Sequence, residues 1–421
     1  MKFSPQTYRD QFVAACLSGL PENAKDWFRR LDGLADGLIA AGAADADTTG
    51  EPPLRSLEAL GDLGALGIQV PEEYGGLGFG DGAACLVVER VAQACASTAA
   101  VLMFHYQVVR RTLTFGAGPW RDDDLRGFAT GSLIGASAWT EKATTKNKGN
   151  LQTRLSSHGS HGPAGSPAGS PAGSPDGDRL LLEGEKTFCT GLSTAGVVHV
   201  LADTRLDGER QGSTFVRVDA KDPRVRISAP YPLLGLRASG TASVEFDGVE
   251  LTRADLVGEP GSGPQLMGRN HEVCLNPGLL ALGAAAGAFE DACLMATGRL
   301  PETQPRTAAE HVRAALADTL VRVETSYAYA ALAVTGSGPG ASPVSSSKFK
   351  LQASAAAEEI TAALLHTVGS RGFLASFPLE RRLRDARATA LMGPSNELIR
   401  DRITDHLLTT DALPEAEHDQ R

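Results

Sequence analysis

The chain has 421 residues, too long for one ordinary core and long enough for two or three packed layers or domains. Hydrophobic residues make up 42% and charged residues 21%, which places it among globular proteins. The formal net charge of −10 argues against a general nucleic-acid binder, because such proteins usually present a basic surface.

The six cysteines (Cys16, Cys85, Cys95, Cys189, Cys274 and Cys293) are dispersed and form no CxxC pair. Neither a zinc site nor a disulfide framework is expected, and no metal is assigned. The N-terminal MKFSPQTYRDQF lacks the apolar core of a secretion signal. No run of roughly 18 or more apolar residues suggests a membrane span. The expectation is a soluble cytoplasmic protein with free thiols and no membrane or nucleic-acid partner.

The first part of the chain, residues 1–126, reads as helical. In KDWFRRLDGLADGLIAAGAADAD, Trp27, Phe28, Leu31, Leu34, Leu38 and Ile39 recur at helical spacing and form one apolar stripe. The run CLVVERVAQACASTAAVLMFHYQVVRRTL is apolar nearly all round, which predicts a helix buried between others. Residues 127–255 change character. Short β-prone runs (RLLLEGEKTF, GVVHVLAD, STFVRVDA, ASVEFDGVEL) are separated by Gly, Asp and Pro, the pattern of an antiparallel β-domain. Before the first of them, at about 157–178, lies a tandem GSPA repeat with almost no apolar side chain to bury. It is expected to be a flexible, disordered surface loop.

Residues 256–421 turn helical again. Pro277 can occupy a first helical turn, and GLLALGAAAGAFEDACLMA follows with small residues that permit close helix packing. Further helical runs (TAAEHVRAALADTLVRVETSYAYAALAV, SSKFKLQASAAAEEITAALLHTVG, LERRLRDARATALMG and PSNELIRDRITDHLL) predict an antiparallel four-helix bundle. The fold class is therefore α+β, in the order helical domain, β-domain, helical bundle.

Five segments in order carry a further signal. They are LGDLGALGIQVPEEYGGLGFG (Leu60 to Gly80), ASAWTEKATTKN (Ala136 to Asn147), GEKTFCTG (Gly184 to Gly191), LLGLRASGTASVEFDGVEL, and HTVGSRGFLASFPLERRLRDAR. Together they resemble the signatures of the acyl-CoA dehydrogenase superfamily, flavoproteins that oxidise acyl thioesters. The resemblance covers most of the chain. It implies FAD as cofactor, an acyl-CoA or acyl-carrier-protein substrate, a homo-tetramer or dimer, and an electron-transfer partner or flavin reductase.

The resemblance also implies site residues. Trp139 and Thr140 align with flavin-contacting positions. The turn after them departs from the family's Pro-Gly-Ala-Gly run, leaving Lys142 or Thr145 to meet phosphate. Phe188 matches an aromatic residue that packs on the isoalloxazine ring, and Thr190 a hydroxyl that bonds flavin N5. A flat apolar ring needs a flat apolar partner, and strand alternation would place both side chains on one face. In the fourth segment Gly235, Arg237, Ser239, Thr241, Phe246, Asp247 and Val249 match a stretch of mostly structural role. In the fifth, His366 stands for a Gln, and Gly369, Ser370, Arg371 and Gly372 for a glycine turn that receives the ADP part of FAD from a neighbouring subunit. Glycines allow close backbone approach to a pyrophosphate. Arg299 corresponds to a further FAD-binding arginine, although LPET follows it in place of the family's run.

The family's base is missing. Removing a weakly acidic α-proton beside a thioester requires a positioned carboxylate. Of the two positions where family members carry it, one falls on Gly393 and the other on Pro277, and the companion arginine is replaced by Gly278. Three readings follow. The first is α,β-dehydrogenation or a variant of it on an acyl thioester, with the base relocated to Glu272 or, next, His271; a place in secondary metabolism would suit such a variant. The second is a flavin-dependent monooxygenase on the same fold using reduced flavin and O2, chemistry that needs no α-proton abstraction. The third is a non-catalytic flavin-binding subunit, against which Phe188 and Thr190 argue. Ser395 and Asn396, at the start of the last helix, would face the flavin or simply cap that helix.

Overall fold

The structure, a computed structural model, describes residues 7–142, 151–157, 179–270, 272–338 and 341–409. Most of the GSPA repeat, Thr145 and His271 lie outside the described residues.

Helices α1 (Thr7–Cys16), α2 (Asn23–Leu34), α3 (Ala40–Thr49), α4 (Leu54–Asp62), α5 (Gly80–Ala94), α6 (Ala96–Phe115) and α7 (Trp120–Thr130) form the first part. A π-helical turn, Ala35–Ile39, joins α2 to α3. The expected apolar stripe is present: Trp27, Phe28, Leu31 and Ile39 are buried, whereas Leu38 is 37% exposed. The long apolar run is two helices, α5 and α6, broken at Cys95, whose backbone is extended (φ −149°, ψ 106°).

The signature stretch between α4 and α5 docks on α6. Tyr106 donates its hydroxyl to the Ala65 carbonyl at 2.8 Å, and the His105 ring bonds the Leu66 carbonyl at 2.9 Å. The other His105 nitrogen accepts the Gly135 N–H at 3.1 Å, which fixes the ring as the Nε2–H tautomer. Burial pushes this imidazole down to about 4, so it stays neutral at pH 7. One side chain thus ties the signature turn to the first strand of the sheet.

The sheet comprises β1 (Gly135–Ala138), β2 (Arg154–Ser157), β3 (Arg179–Cys189), β4 (Val197–Leu206), β5 (Glu209–Asp219), β6 (Val225–Ile227), β7 (Ala242–Thr252) and β8 (Leu256–Val257). Its order is β6-β7-β3-β2-β4-β5-β8, with β1 also on β4. It is mixed rather than wholly antiparallel, because β1 and β2 both run parallel to β4. The β4/β5 hairpin and the longer-range β3/β7 pairing are antiparallel. The parallel pairings join strands distant in sequence, and a strand's own pattern carries no direction.

After α8 (Gly263–Asn270) come α9 (Pro277–Ala296), α10 (Glu310–Thr335), α11 (Pro343–Val368), α12 (Pro378–Leu391) and α13 (Asn396–Thr409). Helices α9 to α12 pack together as the expected bundle, with α13 against α11 and α1 laid on α10. By length and composition α9 could cross a membrane, but it is buried between α5, α11 and α12. Asn276 caps it, accepting the Gly278 N–H at 2.8 Å, and Pro277 stands in its first turn as read from the sequence.

Three glycines set how close α9 lies to its neighbours. A Cβ on Gly278 would stand 2.9 Å from Lys350 Cα, one on Gly283 2.4 Å from the Glu89 carbonyl oxygen, and one on Gly287 2.6 Å from the Gln93 carbonyl oxygen. The core of α5 beside it is polar at one point. The buried Glu89 carboxylate accepts from Tyr327 of α10 and Gln93, with Arg9 of α1 at 4.0 Å. Three helices are joined there through one charge, which cannot be left unpaired without large cost.

Gly283→Ala places a methyl group against α5 backbone. It is expected to destabilise the protein by about 1–3 kcal/mol, read as a lower midpoint in urea unfolding. An unchanged midpoint would mean that α5 and α9 can separate freely at this crossing.

Candidate functional site

The candidate site is built where β1 ends and β3 ends. The Thr187 N–H donates to the Thr140 carbonyl at 2.8 Å, holding the Trp139–Thr140 corner beside the end of β3. There the β3/β7 register slips between Lys186 and Cys189, and Phe188 adopts φ 53°. A bulky residue at positive φ is strained, and here the strain throws the ring clear of the sheet. Phe188 is 64% exposed, against Tyr231 at 4.9 Å between ring centroids. Thr190, just past the strand, is 8% exposed. The bulge and left-handed residue, not simple strand alternation, set the directions of the two side chains.

The Thr190 hydroxyl ends a chain. Ser239 and Thr241 hydroxyls lie 2.7 Å apart, and Thr241 donates to Thr190 at 3.3 Å. With its oxygen receiving from Thr241, Thr190 keeps its own proton to donate onward. The fourth segment therefore backs the site rather than only linking domains. It is anchored on α12, where Asp385 accepts the Leu236 N–H at 2.7 Å. Burial raises the Asp385 carboxyl to about 6.

Glu141, next to Thr140, is held at both oxygens. Glu141 accepts from the N–H groups of Gln152 (2.6 Å) and Thr153 (3.0 Å) and from buried Lys186 (2.6 Å). Burial alone would raise this carboxyl, but the Gln152 N–H, Lys186 and the Thr153 N–H together hold it below the usual carboxylate range. Lys142 pairs with Glu185 at 2.8 Å. Behind Trp139, the buried Arg111 guanidinium stacks on the Trp139 and Phe215 rings at 5.5 and 4.9 Å. Burial, with Arg110 nearby, pushes it down to about 9.

The glycine turn lies at the end of α11. Gly369 takes φ 77°, a conformation suited to glycine. His366 and Ser370 are exposed, and the His366 carbonyl accepts the Gly369 N–H. Arg299 is exposed just past the end of α9, and the arginine bonded to the glycine turn is Arg306. It donates to the Val368 carbonyl at 2.7 Å and would touch a Cβ on Gly369 at 3.1 Å. Arg306, Arg371, Ser370 and Thr303 line a cavity of about 180 Å³. No motif in the sequence singles out Arg306.

The expected base positions hold no carboxylate. Pro277 is buried at the start of α9. Gly393 is exposed, with no atom within 4 Å of an added Cβ. Glu272 is not a solvated loop residue: its carboxylate accepts from Arg269 at 3.0 and 3.1 Å and its side chain is 15% exposed. Ser395 caps α13 by accepting the Leu398 N–H at 3.4 Å. Asn396 turns inward rather than towards open space, and its Oδ1 receives Lys350 Nζ at 2.8 Å and Ser354 Oγ at 3.1 Å. Lys350 of α11, which no motif singles out, is fully buried. Burial pushes its ammonium down to about 7, Glu397 and Glu358 opposing and Arg400 assisting.

The family model "Acyl-CoA dehydrogenase, N-terminal domain" matches residues 22–132, and "Acyl-CoA dehydrogenase, C-terminal domain" matches residues 275–408. The chain belongs to the acyl-CoA dehydrogenase family. An acyl-CoA dehydrogenase of Bacillus subtilis is 29% identical over 381 residues, covering 88% of this chain and 94% of that protein. The solved structure of butyryl-CoA dehydrogenase from Megasphaera elsdenii superposes with a TM-score of 0.80 at 22% identity, over 93% of this chain and 99% of that one. A prolyl acyl carrier protein oxidase superposes at 0.78 and 19% identity, over 92% and 100%. These two likenesses show the fold.

The buried lysine makes stability depend on pH. Its folded value is near 7 and its unfolded value is the ordinary 10.5, so the unfolded chain binds more protons between them. Its contribution is fully present above about 10.5 and is lost as pH falls through 7. Relative to Lys350→Met, the wild-type melting temperature should therefore rise between pH 7 and 9.5. Parallel curves for the two proteins would mean that Lys350 does not titrate in this window.

Proposed function

We propose that this chain is an FAD-dependent oxidoreductase acting on an acyl thioester, carried on coenzyme A or on a carrier protein, by α,β-dehydrogenation or a variant of it. The observation that carries the reading is Phe188: a large apolar ring 64% exposed on a strained φ of 53°, beside Thr140 and the Thr190 hydroxyl. Exposing that ring costs free energy in water, and a flat apolar group laid on it removes the cost. The residues fit FAD. Phe188 would take the ring face, Thr190 would donate to it, and the Trp139–Thr140 corner would border it. The Gly369 turn with Ser370, Arg306 and Arg371 has the donors and the open backbone suited to the pyrophosphate side.

When bound, FAD supplies the hydride acceptor. The chain's own part is to orient the acyl group, exclude water and hold the donor chain Ser239–Thr241–Thr190. What it lacks is a carboxylate at Gly393 or Pro277, and Glu272 is already committed to Arg269. Proton removal is then slow for ordinary saturated acyl groups. That same absence favours a second reading, a monooxygenase using reduced flavin and O2 on this fold. A carrier-protein substrate gains support from the likeness to the prolyl acyl carrier protein oxidase, and a partner flavoprotein or reductase would close the redox cycle. Assembly as a dimer or tetramer suits the exposed apolar side chains Val321, Leu332, Phe373 and Leu391.

The protein should purify yellow or quench added FAD fluorescence at micromolar concentration. Mixed anaerobically with butyryl- or octanoyl-CoA, it should bleach slowly, because a missing general base costs on the order of 10²–10⁴-fold. Gly393→Glu should speed bleaching, since the position is open to a side chain. A colourless protein that ignores FAD overturns the cofactor assignment. Rapid bleaching of the wild type means that another base is present. Reduction only by an external reductase, followed by oxygen uptake, favours the monooxygenase.

A further inference from the structure

One face of α11 is polar where it meets the rest of the bundle. Ser346, Lys350 and Ser354 succeed one another at four-residue spacing, and each is at most 3% exposed. Side chains at that spacing line one stripe of a helix, and a buried stripe of this kind is costly unless every member is bonded. Each is. Ser346 Oγ donates to the Val273 carbonyl at 2.9 Å, and Asn276 Nδ2 donates to Ser346 Oγ at 2.9 Å. Lys350 Nζ donates to Asn396 Oδ1 at 2.8 Å and to the Ala390 carbonyl at 3.3 Å. Ser354 Oγ donates to Asn396 Oδ1 at 3.1 Å.

These bonds converge on two separate pieces of chain. Asn276 is the cap of α9, next to Pro277. Ala390 and Asn396 flank the Met392–Ser395 turn between α12 and α13, which contains Gly393. Helix α9 comes close enough because Gly278 has no side chain: its Cβ position falls 2.9 Å from Lys350 Cα. Lys350 thus stands between the two places where a carboxylate was expected, and it spans the turn at one of them with two bonds.

We propose that Lys350 is a positioning residue: its buried ammonium, anchored on Asn396 and the Ala390 carbonyl, holds the α12–α13 turn that carries Gly393 against α11 and the start of α9. The inference rests on the reading of Gly393 as part of the acyl-thioester site, since otherwise the turn has no chemistry to position. A charge-assisted bond to an amide oxygen is stronger than a neutral one and is directional, as a mere space-filler is not. The charged groups around Lys350 are Glu397 and Arg400 on α13 and Glu358 on α11, the last 3.8 Å from Arg387 of α12. From α10, Arg322 pairs with Glu359 of α11, and the adjoining end of α9 contributes Asn276, Pro277 and Gly278. No carboxylate is bonded directly to Nζ among the described residues, so Asn396 and the Ala390 carbonyl are its anchors.

Hydrogen exchange of the FAD-loaded full-length protein tests this without any substrate. In Lys350→Met, amides of residues 392–398 should exchange roughly tenfold to a hundredfold faster than in the wild type, the equivalent of one lost hydrogen bond to a charged group. Amides in the middle of α9 should keep wild-type protection. Lys350→Arg, which retains a cation and donors, should restore protection in the 392–398 segment. If Lys350→Met does not fold, Asn396→Ala removes the anchor from the other side and should give the same local loosening. Wild-type exchange in this segment, loosening spread evenly through α9 and α11, or no rescue by arginine would each overturn the proposal. Failure of the acyl-thioester reading would show instead as a flavin that no thioester reduces, with the exchange result standing by itself.

Discussion

The placement of α9 decides most of what surrounds it. Its glycines at 278, 283 and 287 let it press on α11 and α5, against backbone at each position, and at Gly287 also against the Arg382 guanidinium of α12. Close packing of this kind admits no insertion, because interiors are as dense as molecular crystals. The consequence at the N-terminal end is chemical. Gly278 stands where the family resemblance places an arginine, and the room is taken by Phe349 and the backbone of Lys350. The helix cannot carry a long cation there and also lie this close to α11. The cation at this junction comes from α11 instead.

At the other end of the site the same economy holds for the sheet. The turn after Thr140 lacks the family's proline and glycines, so its backbone is not preset by residue type. Glu141 substitutes a side-chain tether, accepting two backbone N–H groups from beyond the turn and Lys186 from β3. A carboxylate that satisfied has little tendency to move, since leaving either partner buried and unpaired would be costly. The Thr187–Thr140 bond and the bulge at Phe188 then follow from where β3 is held. His105 extends the frame into the helical domain by bonding the signature turn and the head of β1 with one neutral ring.

Legibility divides along a physical line. Elements with a strong period were readable: the stripe of Trp27, Phe28 and Leu31, the alternation of the long strands, the cap and proline that begin α9. Of the site residues the motifs point to, Phe188 and Thr190 stand at the end of β3 and Gly369 at the end of α11. What was not readable depends on the third dimension. The direction of Phe188 comes from a bulge and a positive φ that no alternation rule yields. The parallel pairing of β1 and β2 with β4 joins strands distant in sequence. Arg306 reaches the glycine turn from a loop that no motif marks. Asn396, expected to face the flavin or to cap its helix, instead gives its oxygen to a buried lysine on another helix, a contact that no local pattern encodes.

That last exchange bears on the chemistry. Position 393 is exposed on the turn whose flanks bind Lys350 Nζ, and an added side chain there meets open space rather than a partner. The junction is arranged around a cation and amide oxygens, not around a base. An acyl group whose α-hydrogen is already acidic, or a reaction that removes no α-hydrogen, is compatible with such a junction, whereas an ordinary saturated chain meets it at a disadvantage. The fold of the family is kept, and the departures in sequence fall at the turn after Thr140, after Arg299, and at Pro277 and Gly393, where no carboxylate stands.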